Sequence, residues 1–118
     1  MGANLSGANL SHAALIEVNM GNMEQVSVNL AGANLSYADI SGANLGGANL
    51  SGVDLHGADL DNMRFDQANL SNANLSNANL SGADLTGATV TNANLWGAHA
   101  SPKCFGNVIC STIQTLSN

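Results

Sequence analysis

The sequence is poor in basic and aromatic residues. Of its 118 residues only Arg64 and Lys103 are basic, against eight acidic residues, which gives a formal net charge of −6. A nucleic-acid interface needs clustered lysine and arginine to neutralise phosphates, so we expect no nucleic-acid partner. Aromatic residues make up 3% of the chain, and any core must therefore be built from small and aliphatic side chains.

Long apolar runs are also missing, although 45% of the residues are hydrophobic. The longest run, residues 13–16, is about a fifth of the length that crosses a bilayer. The N-terminus shows no basic region followed by an apolar run, which a secretory signal requires. The sequence therefore predicts neither a membrane-spanning segment nor a membrane partner.

The two cysteines, Cys104 and Cys110, are too few for a disulfide framework. No metal-site spacing of cysteine or histidine surrounds them. We expect two free thiols, as in a reducing compartment, with one local disulfide between them as the alternative.

A five-residue period runs through the first hundred residues. Of the twenty multiples of five from 5 to 100, fourteen are leucine, and fifteen of the twenty positions two residues earlier are alanine. Between these apolar positions, fifteen of twenty are asparagine or aspartate. Repeats of this regularity indicate a solenoid, in which each unit buries its apolar face against its neighbours.

A period of five matches neither a helix nor a continuous strand, because both would carry the leucines from one face to another. Alanine, a polar residue and leucine taken together read in-out-in, which is three residues of strand. The next two residues are mostly serine, threonine, glycine or asparagine, which favour turns. Each unit is therefore predicted to form one short strand and one corner of a coil.

The exceptions to the pattern favour four units per coil. Met23 and Met63 replace the small alanine forty residues apart, and each precedes an exception at the leucine position, Gln25 or Phe65. In a coil of twenty residues the two pairs share a column and alternate with ordinary small-large pairs. In a coil of fifteen residues they scatter.

The Ala-(Asn/Asp)-Leu-X-X unit resembles that of the pentapeptide-repeat family, over residues 3 to about 100. The resemblance implies an all-β fold, a right-handed quadrilateral parallel β-helix, here a single domain of about five to six coils of twenty residues. We predict the β-helix over residues 1–100, and a degenerate last turn with a C-terminal cap over 101–118. Pro102 suits an ending, because proline cannot donate to a ladder.

Short members of this family are abundant in cyanobacteria, and the chain is cyanobacterial-like in that respect. The expected location is the bacterial cytoplasm. The alternative is the thylakoid lumen or the periplasm, if a targeting segment has been removed.

The pattern weakens over residues 13–28. Ala14 replaces the polar residue, Ile16 occupies a corner and Gln25 replaces leucine. We expect a locally distorted coil here, and an inward Gln25 needs an internal partner or water.

A twenty-residue coil predicts which outward side chains stack. Asp39 is expected to lie over Asp59. Arg64 is expected to lie over Asp84 and to form with it an exposed ion pair, worth under about 1 kcal/mol. One column of asparagines is predicted to contain Asn9, Asn29, Asn49 and Asn69.

Acidic residues form the one patterned surface feature. Four of them lie within residues 54–66. A partner-binding acidic surface is predicted to contain Asp39, Asp54, Asp59, Asp61 and Asp66. The alternative is a solvated acidic face that keeps the solenoid soluble.

No catalytic, metal-binding or cofactor-binding arrangement is predicted. His12, His56 and His99 fall at different places in the unit, so no column sets one beside a second metal ligand. The smooth sides of a prism offer no cleft for a Ser-His-Asp or Cys-His arrangement. The glycines sit at corners rather than in a phosphate-binding loop.

These expectations favour a non-catalytic interaction solenoid with an unknown protein partner. The resemblance implies one alternative, because the family's quinolone-resistance members are acidic rods that occupy the DNA-binding surface of gyrase or topoisomerase IV. The short chain and its lack of a loop insertion count against that role. An ice-binding face is disfavoured because repeated ranks of threonine are missing.

The repeat begins at once, with Ala3 and Leu5. The first coil is therefore expected to present Leu5, Leu10 and Leu15 edge-on, together with unpaired ladder groups that invite pairing with another chain. We predict a weak homodimer through these N-terminal ends, closed by two-fold symmetry.

Overall fold

The chain winds into stacked four-sided coils. We describe residues 4–13 and 28–100 of the computed structural model, which contain no helix and no strand longer than a single bridged residue. From residue 29 onward, each parallel bridge joins residues twenty positions apart, as Asn29 to Asn49. The bridged residues form four columns, here called sides A (4, 29, 49, 69, 89), B (9, 34, 54, 74, 94), C (39, 59, 79, 99) and D (44, 64, 84). Four units make one coil over this range, as predicted.

Each side is a short extended segment with its apolar residues turned inward. In the segment 48–50, Ala48 and Leu50 are fully buried and Asn49 between them is half-buried. The Leu50 N–H donates to the Asn69 carbonyl at 2.7 Å, and the Asn49 N–H donates to the Val28 carbonyl at 3.1 Å. Successive residues thus bond to the coils on both sides, which satisfies the backbone of a stack of short strands.

A two-residue turn closes each unit. The Ala33 N–H, for example, donates to the Leu30 carbonyl at 3.0 Å across the turn 31–32. The second turn residue has a positive φ in every described unit, as a type II turn requires. Nine of these residues are glycine and four are asparagine, which tolerates this conformation. The other three are His12, Tyr37 and Gln67.

Alanine and leucine columns fill the interior. The predicted bulky pair on side D, Met63 and Phe65, is fully buried between the coils that carry Ala43-Leu45 and Ala83-Leu85. Larger side chains in one coil are thus followed by small ones in the next, which maintains dense packing along the axis. The other half of the predicted alternation, Met23 and Gln25, lies outside the described residues.

The first coil is one unit longer than the others. Asn4 bridges Asn29 and Asn9 bridges Asn34, an offset of 25 rather than 20 residues. The uniform twenty-residue coil is therefore wrong here, and so is the predicted asparagine column, because Asn4 rather than Asn9 lies over Asn29. An extra unit preserves the five-residue phase, so the hydrophobic pattern gives no sign of it. The added length falls between residues 13 and 28, within the segment predicted to be distorted, and residues 14–27 lie outside those described.

Part of the last described coil is less completely buried than the coils before it. Val90, Ala93 and Leu95 are partly buried and pack against the core. The predicted cap over 101–118 lies outside the described residues, so the boundary at residue 100 stays a prediction.

Candidate functional site

The predicted acidic residues occupy two neighbouring sides and two corners. Asp54 lies on side B, while Asp39 and Asp59 bridge each other on side C, as predicted. Asp61 follows at the corner between sides C and D, and Asp66 at the corner between sides D and A. The structure therefore groups four of the five carboxylates on sides B and C and the corner beside them, and it separates Asp66 from them by side D.

The side-B and side-C carboxylates stabilise the turns that follow them. Oδ1 of Asp39 accepts the N–H of Ser41 at 3.2 Å, and Oδ1 of Asp59 accepts the N–H of Asp61 at 3.1 Å. Asn49 makes the same bond to the N–H of Ser51 at 3.1 Å. Asparagine and aspartate are therefore equivalent in the turn, because it needs an oxygen acceptor and no charge.

Neighbouring coils are linked by further bonds between these side chains. The amide of Asn74 donates to Oδ1 of Asp54 at 3.4 Å, and the amide of Asn79 donates to Oδ1 of Asp59 at 3.3 Å. On both sides the polar columns therefore bond to their own turns and to the neighbouring coil.

Replacing both Asp39 and Asp59 by asparagine is expected to leave the free energy of unfolding unchanged, or to raise it by about 0.5 kcal/mol. Asparagine keeps the turn acceptor, and the exchange removes two like charges that face each other on adjacent coils. Urea denaturation measures the effect. The control, Asp39→Ala, loses the acceptor and is expected to cost about 1 kcal/mol. A loss above 1 kcal/mol in the asparagine double variant would contradict this reading of the turns.

The ion pair of Arg64 differs from the prediction. Arg64 does lie over Asp84 in the column, but its Nη2 and Nε pair with Oδ2 and Oδ1 of Asp66, at 3.2 and 3.3 Å. Oδ1 of Asp84 instead accepts the N–H and the hydroxyl of Thr86, at 3.0 and 2.6 Å. The guanidinium fork reaches both oxygens of a carboxylate two residues along the chain, whereas Asp84 is held by its own turn. The charge of Asp66 is thus paired with that of Arg64.

Aromatic and imidazole rings gather at one corner of the coil, between sides B and C. This B–C corner consists of the turns 11–12, 36–37, 56–57, 76–77 and 96–97. Tyr37 stacks on His12 with ring centroids 5.3 Å apart, and it meets His56 edge-on at 5.2 Å. Trp96 lies on the same corner and is 74% exposed.

Sequence reasoning missed this ring cluster. Under a uniform coil His12 would stack on Gly32, and only the longer first coil brings it over Tyr37. The available signal was the placement of four ring-bearing residues at turn positions, which small or polar residues otherwise hold in the described ranges.

His56 is held in one orientation by a hydrogen-bond chain. Oδ1 of Asn74 accepts the N–H of Ser76 at 3.0 Å and the Ser76 hydroxyl at 2.6 Å. Since that hydroxyl donates to Asn74, its oxygen accepts from His56 Nδ1, which lies 2.7 Å away. The proton therefore sits on Nδ1, and Nε2 of a neutral His56 is left as an acceptor.

Eight copies of the pentapeptide-repeat family model match the chain, over residues 2–23, 29–65 and 64–97. The chain belongs to the pentapeptide-repeat family. The resemblance noted in the sequence is thereby confirmed. A comparison with curated proteins finds no match.

Solved structures of other pentapeptide-repeat proteins are similar to this one. One from the Arabidopsis thaliana thylakoid lumen is 35% identical with a TM-score of 0.75, over 84% of this chain and 66% of that one. HetL of Nostoc sp. strain PCC 7120, involved in the regulation of heterocyst differentiation, is 34% identical with a TM-score of 0.57, over 83% and 50%. QnrB1, a plasmid-mediated fluoroquinolone resistance protein, is 25% identical with a TM-score of 0.52, over 85% and 58%. This chain thus spans between half and two thirds of these relatives.

These similarities support the β-helix solenoid and the cyanobacterial-like character of this pentapeptide-repeat chain. Its location in the cell stays a prediction, since one relative comes from a thylakoid lumen and another from a cyanobacterium. The described part of the chain contains no apolar helix of membrane-spanning length. Within residues 4–13 and 28–100, no three histidine, cysteine or acidic side chains lie close enough together to hold a metal ion.

The remaining predicted site residues lie at the ends of this pentapeptide-repeat chain. Leu5 and Leu10 are partly buried and pack against the core, whereas Leu30 and Leu35 in the next coil are fully buried. Leu15, Cys104 and Cys110 lie outside the described residues. The N-terminal association edge and the disulfide stay predictions.

Proposed function

We propose that this pentapeptide-repeat chain is a non-catalytic protein-interaction solenoid, and that it recognises its partner through sides B and C. The observation that carries the proposal is the charge of Asp39, Asp54 and Asp59. Asparagine makes the same turn bond throughout the stack, so the fold leaves these charges without a structural purpose. Charge of one sign on a rigid surface steers a partner of opposite charge and selects against others.

Affinity capture with identification by mass spectrometry tests this proposal. The tagged chain is compared with an Asp39→Asn/Asp54→Asn/Asp59→Asn variant in extract from cells that express the protein. The matched control is Asp84→Asn, which removes one carboxylate from side D and keeps its turn acceptor. Retention of a specific partner by the wild type and the control, with loss from the triple variant, supports the proposal. Equal capture by all three overturns it.

The likeness to QnrB1 makes mimicry of DNA the competing proposal. The described coils span about four spacings of 4.8 Å, and duplex DNA of that length, about 19 Å, carries roughly eleven charges. The same coils carry six carboxylates, spread over three sides and two corners, and Arg64 neutralises one of them. This charge density is too low and too dispersed to imitate a duplex.

We therefore expect no inhibition of gyrase supercoiling by this protein below about 1 μM, where specific protein complexes commonly form. The measurement is a gel assay of plasmid topoisomers across a protein titration, with QnrB1 run in parallel. Complete inhibition at sub-micromolar protein would favour DNA mimicry over recognition of a partner through sides B and C.

Association through the N-terminal end remains part of the proposal. Leu5 and Leu10 are partly exposed, whereas Leu30 and Leu35, one coil later in the same two columns, are fully buried. The cross-section of a single coil is a small interface, so we expect a weak dimer. Light scattering across a concentration series should show the mass rise toward that of a dimer, and Leu5→Lys or Leu10→Lys should reverse the rise. A mass that stays at that of the monomer at every concentration would contradict the proposed dimer.

A further inference from the structure

Both exposed large hydrophobic side chains of the described residues lie on the B–C corner. Tyr37 is 54% exposed and Trp96 is 74% exposed, and both His12 and His56 contact Tyr37. Tyrosine and tryptophan are enriched at the centres of protein interfaces, where they supply much contact area with few rotatable bonds. The coil has four corners, and these rings are concentrated on one of them. This corner is therefore a candidate binding surface.

The fold does not require these rings. Tyr37 and His12 have φ of 60° and 63°, a conformation that strains bulky side chains, while glycine occupies the same place at Gly57 and Gly97. At the position of Trp96, three other coils of this corner carry serine, namely Ser11, Ser36 and Ser76. His12 and Tyr37 are thus retained despite strain in the backbone, and Tyr37 and Trp96 despite the exposure of apolar surface. A contact with a partner accounts for them.

Carboxylates flank the corner on both sides. Asp54 precedes the turn of His56 on side B, while Asp39 and Asp59 follow the turns of Tyr37 and His56 on side C. In their hydrogen bonds with other described residues, all three carboxylates accept through Oδ1, and Oδ2 takes part in none of these bonds. No lysine or arginine lies on sides B or C among the described residues. The surface combines exposed rings with uncompensated negative charge.

We propose that the B–C corner binds an extended, arginine-rich peptide segment of a partner protein. The inference deepens the proposed function and rests on it. A guanidinium stacks on the face of tryptophan or tyrosine and also pairs with a carboxylate through two bonds, so arginine fits both features of this surface. From His12 to Trp96 the corner spans four coil spacings, about 19 Å, which is the length of about six residues of extended peptide.

Trp96 is the single tryptophan of the chain, so its fluorescence reports binding at the corner. The probe is a blocked hexapeptide in which arginine alternates with serine. Control peptides replace arginine by lysine, glutamine or glutamate. We expect saturable quenching or a shift of Trp96 emission with the arginine peptide, at least five-fold weaker binding of the lysine peptide, and no saturation with the other two.

Calorimetry then compares variants that use residues the corner already contains elsewhere. Tyr37→Gly copies Gly57, and Trp96→Ser copies Ser76, so both are expected to fold. Each should weaken binding of the arginine peptide at least five-fold, while Asp84→Asn on side D should leave it unchanged. Binding that is equally strong in Tyr37→Gly and Trp96→Ser, or no saturation with the arginine peptide at all, overturns the inference.

The result is separable from that of the proposed function. If capture of the partner depends on Asp39, Asp54 and Asp59 but not on Tyr37 and Trp96, the acidic interaction surface stands and the peptide site at the corner is wrong. If Tyr37→Gly and Trp96→Ser abolish capture together with the aspartate variant, the corner and the acidic sides act as one surface. If none of these variants changes capture of the partner, the proposed function itself is wrong.

Discussion

Replacing Leu50 with alanine is expected to lower the free energy of unfolding by about 2–5 kcal/mol. Leu50 is fully buried in the middle of the stack, in the column of side A between Leu30 and Leu70, which are buried as well. The narrow interior cannot collapse easily around a missing side chain, because backbone hydrogen bonds to the coils on both sides fix the positions of the strands. The lost contacts and the remaining cavity both contribute. Equilibrium denaturation in urea, followed by circular dichroism, measures the change.

Two controls separate burial from position. Asn49→Ala, beside Leu50 on the same side, removes the acceptor of two bonds from Ser51 and is expected to cost about 1 kcal/mol. Leu95→Ala removes a leucine that is only partly buried in the last described coil, and it should cost less than Leu50→Ala. In a solenoid, a residue inside the stack couples two neighbouring coils. Equal costs for Leu50→Ala and Asn49→Ala would show that the inward and outward assignment is wrong.

Replacing Gly57 with alanine is expected to cost about 2–5 kcal/mol. Gly57 has a φ of 65°, where an added Cβ is strained by roughly 1–2 kcal/mol. That Cβ would also lie 2.7 Å from Cε1 and 2.8 Å from Cδ1 of the Tyr37 ring. The ring must move, and it then loses its stacking on His12 and its edge contact with His56, each worth about 0.5–1.5 kcal/mol.

Gly32 supplies the matched control for this experiment. Its φ is 68°, but no atom lies within 4 Å of an added Cβ, so Gly32→Ala should show the backbone strain alone, about 1–2 kcal/mol. In a Tyr37→Gly background the ring is gone, and Gly57→Ala should cost no more than Gly32→Ala. A double-mutant cycle from urea denaturation gives the coupling between Tyr37 and Gly57. Zero coupling would mean that the ring does not rest on the glycine.

The sequence by itself determined the direction of every side chain in the unit. A three-residue strand places alanine and leucine on one face and the residue between them on the other, and the turn restores that phase before the next unit. The burial of Ala48 and Leu50 around Asn49 was predictable for this reason, and so was the column of Met63 and Phe65. The side-chain chemistry of asparagine and aspartate suits the bond to the following turn, because both supply an oxygen acceptor. The placement of the acidic residues on neighbouring sides could be predicted from the twenty-residue coil alone.

The tertiary structure alone decided which coils are aligned and which outward groups meet. An added unit leaves the five-residue phase intact, so the 25-residue first coil and the contact of His12 with Tyr37 had no signal in the hydrophobic pattern. The partner of Arg64 depended on the reach of a flexible side chain, since Asp66 and Asp84 both lie near it. Inward residues are specified by a strong and repeated hydrophobic effect, whereas outward contacts depend on small energies and on the register between coils. The ring-bearing B–C corner belongs to this second kind and emerged only once the coils were stacked.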